Sequence, residues 1–132
     1  MPVNFIGIDY DGNLLSEWDD ASELCSYDSN QRYEGMVKTN SGFFIIWNDD
    51  REGADIYGQM VSFNGDLLGP PDGIPIVTAS NDQQSPTLTY NGNANEIMVC
   101  WEDFRNGTDF DIYCSTIDEN TLSITSNIDL CI

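Results

Sequence analysis

An internal repeat constrains the fold of this chain more than any other feature of its sequence. Residues 43–57 recur as residues 97–113, with a two-residue insertion in the second copy, and both copies carry the letters W-x-D-x-R-x-G followed by D-I-Y. A second block, residues 8–15, matches residues 61–68 and more loosely residues 117–122. The offsets between matched residues give a period of 52 to 56 residues. The chain is therefore built from copies of one supersecondary unit.

Each copy has the signals of short β-strands joined by turns. Phe43–Trp47 is a continuous apolar run bounded by polar residues, which predicts a strand buried on both faces. Asp-Gly or Asn-Gly steps at 11–12, 64–65, 91–92 and 106–107 mark turns. No segment carries a helical stripe, so the sequence predicts an all-β fold.

Four short strands in a repeat of this length are typical of a β-propeller blade. A β-sandwich made of the two repeats is the alternative. We interpret residues 1–132 as a single repeat-built β domain. Within it, residues 1–33 form a partial blade, 34–80 the first full repeat and 81–132 the second full repeat.

The repeated motif predicts the register of a β-hairpin in each copy. In an antiparallel pair, the numbers of two facing residues have a constant sum. A sum of 104 in the first copy and of 214 in the second places an aromatic pair, an aspartate pair and an apolar pair at matching positions in both hairpins. These pairs are Trp47 with Tyr57, Asp49 with Asp55 and Phe43 with Val61, and then Trp101 with Tyr113, Asp103 with Asp111 and Ile97 with Ile117. Aromatic cross-strand pairs stabilise a sheet.

The facing aspartates need a counter-charge, because like charges directly opposite each other destabilise a ladder. Each hairpin loop supplies one cation, Arg51 or Arg105. A guanidinium can bridge two carboxylates, so we predict a structural clamp in each hairpin. The alternative is a calcium site on the same carboxylates, since Ca²⁺ prefers oxygen ligands. Its ligands would be Asp49, Asp55, Asp103 and Asp111.

The same register places Cys100 opposite Cys114, whereas the first copy has Ile46 and Gly58 at these positions. Two cysteines at facing positions predict a cross-strand disulfide, which implies an oxidising compartment. The alternative is a pair of free, buried thiols. Cys25 and Cys131 occupy equivalent places in different copies, which predicts that they do not bond to each other within one chain.

Composition excludes several functions. The chain has 23 acidic and 4 basic residues, a net charge of −19, so it repels nucleic acids and anionic lipid surfaces. It has no histidine, which removes zinc hydrolases and Ser-His-Asp or Cys-His nucleophiles from consideration. No apolar run is long enough to insert into a membrane. Paired carboxylates leave glycoside hydrolysis as the one enzymatic alternative.

The motifs W-x-D-x-R-x-G…D-I-Y, x-x-G-x-L-L and I-P-I-V-T-A-S-N-D-Q-Q-S-P resemble repeats described as TolB-like or YVTN-like β-propeller blades. Such repeats occur in secreted and cell-surface proteins of bacteria and archaea. The resemblance covers most of residues 34–118, and Gln31-Arg32 stand where the second copy has Ser85-Pro86. It implies a binding or scaffolding role at the cell surface, with no shared set of catalytic residues.

Together these features predict a non-catalytic extracellular or cell-surface module for binding or adhesion, with a glycan or a protein as ligand. Trp18 lies outside the repeated motif and is the candidate ligand contact, although a core aromatic is the alternative. A second hypothesis is a structural assembly unit, or a fragment of a longer propeller array. Because repeats need neighbours to bury their faces, either a homo-oligomer or a longer chain is expected. No cofactor is expected, apart from the calcium alternative.

Overall fold

The computed structural model describes Asn4, Phe5, Gly7, Asp11 and residues 22–130. These residues form an all-β structure with two four-stranded antiparallel sheets and one two-stranded sheet. This part of the chain contains no helix that is long and apolar enough to cross a membrane. The strands are β1 (Asn4–Phe5), β2 (Ser22–Glu23), β3 (Gln31–Lys38), β4 (Gly42–Asp49), β5 (Asp55–Ser62), β6 (Ile74–Val77), β7 (Gln83–Asn91), β8 (Glu96–Asp103), β9 (Asp111–Asp118) and β10 (Ile128–Asp129).

Each four-stranded sheet is a simple meander, in which strands adjacent in the chain are adjacent in the sheet. The first sheet has the order β3-β4-β5-β6, and the second sheet runs β7-β8-β9-β10. Each sheet therefore contains one copy of the sequence repeat. Such short connections between antiparallel neighbours are what the Gly-containing turns between the runs predict.

The predicted hairpin registers are confirmed in both sheets. Trp47 pairs with Tyr57 and Asp49 with Asp55 across β4 and β5. The corresponding pairs across β8 and β9 are Trp101 with Tyr113 and Asp103 with Asp111. In both copies the alternation of side chains along the strands is thereby fixed, which decides which residues share a face.

We call the face that carries the motif tryptophan the leading face of each sheet, and the opposite face the trailing face. The trailing face of the first sheet packs against the leading face of the second and forms the larger core. The buried residues of this larger core are Phe44, Ile46, Ile56, Met60, Ile74, Ile76 and Val77 from the first sheet and Ile97, Val99, Trp101 and Ile117 from the second. The leading face of the first sheet packs against Leu24, Cys25 and Phe5.

Strand β4 is buried on both faces, as its apolar run predicts: Phe44–Asp49 are all buried. Close packing of side chains on the first sheet also explains Gly58 on the neighbouring strand. A Cβ atom there would lie 2.8 Å from the ring of Phe44 and 3.0 Å from Ile76. A larger residue at this position would displace the core of the first sheet.

A polar network ties the two sheets together at the end away from the hairpin tips. The buried carboxylate of Glu119 accepts hydrogen bonds from the backbone N–H of Ser41 at 2.8 Å, from the Ser41 hydroxyl and from the Tyr90 hydroxyl. Asn40 donates from Nδ2 to Oδ1 of Asn95 at 3.0 Å. The turn of one hairpin thus holds the facing hairpin of the next repeat.

Cys100 and Cys114 form the predicted cross-strand disulfide, with facing positions in the ladder between β8 and β9. Cys25 is a free, buried cysteine. Cys131 lies outside the described residues, so the prediction about its state stays a prediction.

We expect loss of the disulfide to destabilise the protein. The bond closes a loop with a sequence separation of 14 residues, so the double variant Cys100→Ser/Cys114→Ser should lose about 3 kcal/mol of unfolding free energy. Urea unfolding with and without reductant measures this loss. Reductant should lower the stability of the wild type and leave the double variant unchanged. An equal response of both proteins would contradict the prediction.

Candidate functional site

The carboxylate of Asp49 is enclosed by donors from its own strand and turn. The indole Nε1 of Trp47 donates to Oδ2 at 3.0 Å, and the backbone N–H of Arg51 donates to Oδ1 at 3.0 Å. The Arg51 guanidinium completes a two-pronged contact, with Nε to Oδ1 at 3.0 Å and Nη2 to Oδ2 at 2.7 Å. Ser29 adds a hydroxyl donor at 2.7 Å. We call this arrangement of Trp, Asp and Arg the W-D-R motif.

The second copy repeats the geometry of the first. Trp101 Nε1 donates to Asp103 at 2.8 Å, and Arg105 donates from its backbone N–H and Nε at 2.9 Å and from Nη2 at 2.6 Å. In each copy the guanidinium carbon lies 3.8 Å from the ring centre of the cross-strand tyrosine, Tyr57 or Tyr113. A guanidinium over an aromatic face is itself a favourable contact.

These hydrogen bonds determine the charge state of the buried carboxylates. Burial alone would raise the pKa of Asp49, but the hydrogen bonds from Arg51, Ser29 and Trp47 outweigh burial and hold that pKa below its ordinary value. The pKa of Asp103 is lowered in the same way by Arg105 and Trp101. Both aspartates therefore remain ionised, and each forms a buried ion pair with its arginine.

The structure differs from the predicted clamp in one respect. In the described part of the chain, each arginine pairs with the first aspartate and no ion pair joins it to the second. Asp55 is buried, and burial together with the charges of Glu52 and Asp49 raises its pKa to about 6. Asp111 instead accepts a hydrogen bond from Nδ2 of Asn106 at 2.9 Å. Asn106 stands at the position that Glu52 occupies in the first copy.

Arg51 also joins segments that are distant in sequence. Its Nη2 donates to the carbonyl oxygen of Asp72 at 2.9 Å and contacts Sγ of Cys25 at 3.2 Å, while the ring of Tyr27 lies 4.2 Å from its guanidinium carbon. The sequence gives no signal for these contacts, because they depend on how the segment before β3 folds over the first sheet.

The four aspartates named as calcium ligands are not gathered into one site. Among the described residues, no group of three or more acidic or cysteine side chains is placed to hold a metal ion. The oxygens of Asp49 and Asp103 already accept several donors each. The calcium alternative therefore has no support from the geometry of these residues.

A polar cleft of about 380 Å³ lies where β3 and β4 meet the start of β7, and we call it the inter-sheet cleft. It is lined by Asn30, Gln31, Arg32, Asn48, Asp50, Ala54 and Gln84. Asn48 forms its floor: this buried side chain donates to the backbone oxygens of Asp55 and Gln83 and so links the two sheets.

The rim of the inter-sheet cleft carries side chains that are oriented by neighbours. Arg32 donates from Nε to Glu34 at 2.7 Å and from Nη2 to Oδ1 of Asn48 at 3.4 Å. Gln84 donates to Glu102 at 3.1 Å. Sequence reasoning missed this cleft, because its residues come from separate strands and form no motif in the sequence.

Trp18, the candidate ligand contact, lies outside the described residues. The other two tryptophans are buried within the W-D-R motif. Tyr27 and Tyr33 are the exposed aromatic residues of the segment leading into β3 and of β3 itself.

In comparisons with known proteins, no family model, curated protein or solved structure matches this chain. The likeness of its motifs to propeller repeats therefore stays a prediction.

We expect Arg51→Met to destabilise the fold strongly, by about 3–5 kcal/mol, because it leaves a buried carboxylate without its counter-charge. Arg105→Met should lower the free energy of unfolding by less, because the Arg105 side chain is 27% exposed and that of Arg51 is 7% exposed. Arg32→Met is the control, and its exposed ion pair should change stability by less than about 1 kcal/mol. Urea unfolding measures all three. Calcium restoring the stability of Arg51→Met would favour the metal site instead.

Asp55 should make the fold less stable as the pH rises. Its pKa of about 6 in the folded protein exceeds its unfolded value, so the folded state binds the proton more tightly. Ionisation of Asp55 therefore lowers the free energy of unfolding progressively between about pH 4 and pH 6, and the full loss is present above that range. Asp55→Asn should melt at a higher temperature than the wild type near neutral pH and match it near pH 4.

The exposed Asp50→Asn provides the matched control for the Asp55 experiment. It should show no such pH-dependent gain in thermal melts. A constant difference between Asp55→Asn and the wild type at every pH would contradict the assignment.

Proposed function

We propose that this chain is a non-catalytic binding module of an extracellular or cell-surface protein, and that the inter-sheet cleft binds a glycan. The observation that carries the proposal is the polar lining of that cleft, which combines amide side chains with a guanidinium and a carboxylate. Its volume of about 380 Å³ is within the range of small-molecule sites.

A glycan suits this lining for a chemical reason. Each sugar hydroxyl both donates and accepts a hydrogen bond, and an amide side chain also presents both functions. Asn30, Gln31 and Gln84 supply such groups at the rim, and Arg32 adds donors in a planar fork. Asn48 stabilises the floor through its bonds to both sheets, so the cleft has a fixed base.

Burial argues against a glycosidase. Asp49 and Asp55 face each other with pKa values shifted in opposite directions, a pattern that acid and nucleophile pairs also show. Both side chains are buried, however, and Asp49 is enclosed by hydrogen bonds from Trp47, Ser29 and Arg51. A sugar could not reach either carboxylate without unfolding the hairpin tip. We therefore assign the pair to structure.

Location and architecture are part of the same proposal. Disulfides persist in oxidising compartments, so the bond between Cys100 and Cys114 supports an extracellular or surface setting. Four-stranded antiparallel meanders that repeat with the sequence support propeller-type blades. Two such sheets packed face to face would also fit a β-sandwich.

A glycan microarray tests the proposal, followed by titration calorimetry with the best-binding glycan. We expect Arg32→Ala and Gln84→Ala to weaken binding by about tenfold or more each, because each removes polar partners of the sugar. Thr89→Ala, on the trailing face of the second sheet, is the control and should bind as the wild type does.

Binding that survives both cleft variants would place the site elsewhere. Trp18→Ala then becomes the decisive variant, because Trp18 is the one tryptophan in the sequence outside the repeated motif. Failure to bind any glycan on the array would remove the glycan proposal.

A further inference from the structure

The chain has three Asn-Gly steps, and each lies in a turn with its asparagine exposed. The asparagines are Asn64, Asn91 and Asn106. Such a step can react with itself, because the backbone nitrogen of the glycine can attack the side-chain carbonyl carbon of the asparagine. Glycine favours this attack, since it has no side chain to hinder the approach. The three steps are therefore candidate sites of a covalent change.

The reaction needs only water. The glycine nitrogen forms a bond to Cγ of the asparagine, and the bond between Cγ and Nδ2 breaks. Nδ2 leaves as ammonia, which takes up the proton that the glycine nitrogen loses. Water then opens the resulting cyclic imide at either carbonyl group. Opening at Cγ gives aspartate, and opening at the backbone carbonyl gives isoaspartate, in which the main chain runs through the side chain. Nothing is oxidised or reduced.

The folded structure decides which step can react. The nucleophile is the glycine nitrogen after loss of its proton, so a hydrogen bond donated by that N–H opposes the reaction. The N–H of Gly65 donates to the carbonyl oxygen of Ser62 at 3.0 Å, and that of Gly107 donates to the carbonyl oxygen of Phe104 at 2.8 Å. The turns at Asn64 and Asn106 therefore protect their asparagines.

Gly92 differs from both of these glycines. Within the described residues, its backbone N–H donates no hydrogen bond. The side-chain oxygen of Asn91 accepts a hydrogen bond from the backbone N–H of Asn93 at 3.2 Å. This bond draws electron density from Cγ and stabilises the negative charge that develops on the oxygen during attack. The nucleophile is thus available and the carbonyl group is activated in the same turn.

Asn106 is the closest comparison within the molecule. Its Oδ1 also accepts a hydrogen bond, from the N–H of Thr108 at 2.8 Å. However, its Nδ2 donates to the carboxylates of Asp109 and Asp111, at 2.7 Å and 2.9 Å, and must give up both bonds to leave as ammonia. Together with the bonded N–H of Gly107, these contacts oppose the reaction at Asn106 and not at Asn91.

We propose that Asn91 is a modification site, at which the folded protein converts spontaneously to isoaspartate, and that this conversion loosens the contact between the two sheets. The proposal is independent of the glycan site, because neither Asn91 nor Gly92 lines the inter-sheet cleft.

The effect on the sheets follows from what the turn between β7 and β8 holds. Asn40, in the turn between β3 and β4, donates from Nδ2 to the carbonyl oxygen of Gly92 at 3.3 Å and to Oδ1 of Asn95 at 3.0 Å. The backbone N–H of Glu119 donates to the carbonyl oxygen of Asn95 at 2.9 Å. This one turn therefore positions both Asn40 of the first sheet and the residue that binds Ser41.

Isoaspartate changes this turn in two ways. It lengthens the main chain by one methylene group immediately before Gly92, which moves the acceptors of Asn40 out of place. It also adds a carboxylate at residue 91, which pairs directly with Glu96 in the ladder. Like charges directly opposite each other destabilise a ladder. Both changes weaken the hydrogen bonds between the sheets.

Peptide mapping by mass spectrometry tests the site, after incubation of the folded chain in mildly alkaline buffer. We expect Asn91 to convert about tenfold or more faster than Asn64 and Asn106, because each of these has to break a hydrogen bond first. In urea all three should convert at similar rates, since every glycine N–H then faces water. Conversion of Asn64 or Asn106 as fast as Asn91 in the folded protein would overturn the proposal.

Gly92→Ala should block the reaction without disturbing the fold. A Cβ atom at Gly92 would lie 3.6 Å from the ring of Tyr90 and 3.8 Å from Asn40, which are ordinary contact distances, and Gly92 does not have a positive φ. The added methyl group hinders the attack, so conversion at residue 91 should slow about tenfold or more. Asn64→Ser, in another turn, is the control and should leave that rate unchanged. Circular dichroism checks that both variants are folded.

Hydrogen exchange tests the consequence for the two sheets. After incubation, the amides of Ser41 and Glu119 should exchange about tenfold or more faster in the wild type, because their acceptors depend on the altered turn. The incubated wild type should also melt at a lower temperature than fresh protein, whereas incubated Gly92→Ala should match fresh Gly92→Ala in both measurements. Isoaspartate at residue 91 with unchanged exchange at Ser41 and Glu119 would overturn the loosening of the sheets.

Discussion

The rest of the structure depends on a carboxylate buried at the end of the motif strand. A buried charge is costly unless it is paired and hydrogen-bonded. The sequence meets this requirement locally: the indole two residues before Asp49 and the backbone and guanidinium two residues after it all donate to the same carboxylate. The cross-strand Tyr57 then stacks under the guanidinium. One aspartate thereby fixes the tryptophan, the turn and the partner strand together.

The arginine of each motif forms an ion pair with the first aspartate of the cross-strand pair and not with the second. A single guanidinium whose donors are already committed to Asp49 leaves Asp55 buried beside other negative charges, and its pKa rises to about 6. In the second repeat the equivalent aspartate, Asp111, is only partly buried. The two extra residues of this repeat form a tip in which Asn106 donates to both Asp109 and Asp111. The same motif therefore tolerates different tips, because the essential bonds involve only the end of the preceding strand and the arginine two residues after the aspartate, which both copies share.

The features that the sequence could predict are those that depend on alternation and repetition. Facing residues follow from a single register, so the pairing of Trp47 with Tyr57 and the bond between Cys100 and Cys114 could be derived from residue numbers alone. Contacts between segments that are distant in sequence could not be derived in this way. The hydrogen bond from Ser41 to Glu119 joins residues 78 positions apart, and neither local sequence predicts it. The inter-sheet cleft could not be predicted for the same reason. The sequence also did not predict that Arg51 binds one aspartate and does not bridge two.

The disulfide and the exposed apolar residues of the second sheet are connected by position. In the first sheet, Ile46 is buried in the core between the sheets, and Gly58 leaves room for Phe44 and Ile76 of the same sheet. In the second sheet the equivalents of Ile46 and Gly58 are Cys100 and Cys114; Cys114 is buried, while Met98 and Ile112 on the same face are exposed. A covalent bond needs no covering layer, so it can hold β8 to β9 on a face where the described residues leave apolar side chains exposed. It does not remove the exposed Met98, Ile112 and Ile128 around it, and an end-capping sheet would carry polar residues there. The bond therefore stabilises this sheet by a covalent link between its strands, whereas the first sheet has the buried Ile46 at the position of Cys100.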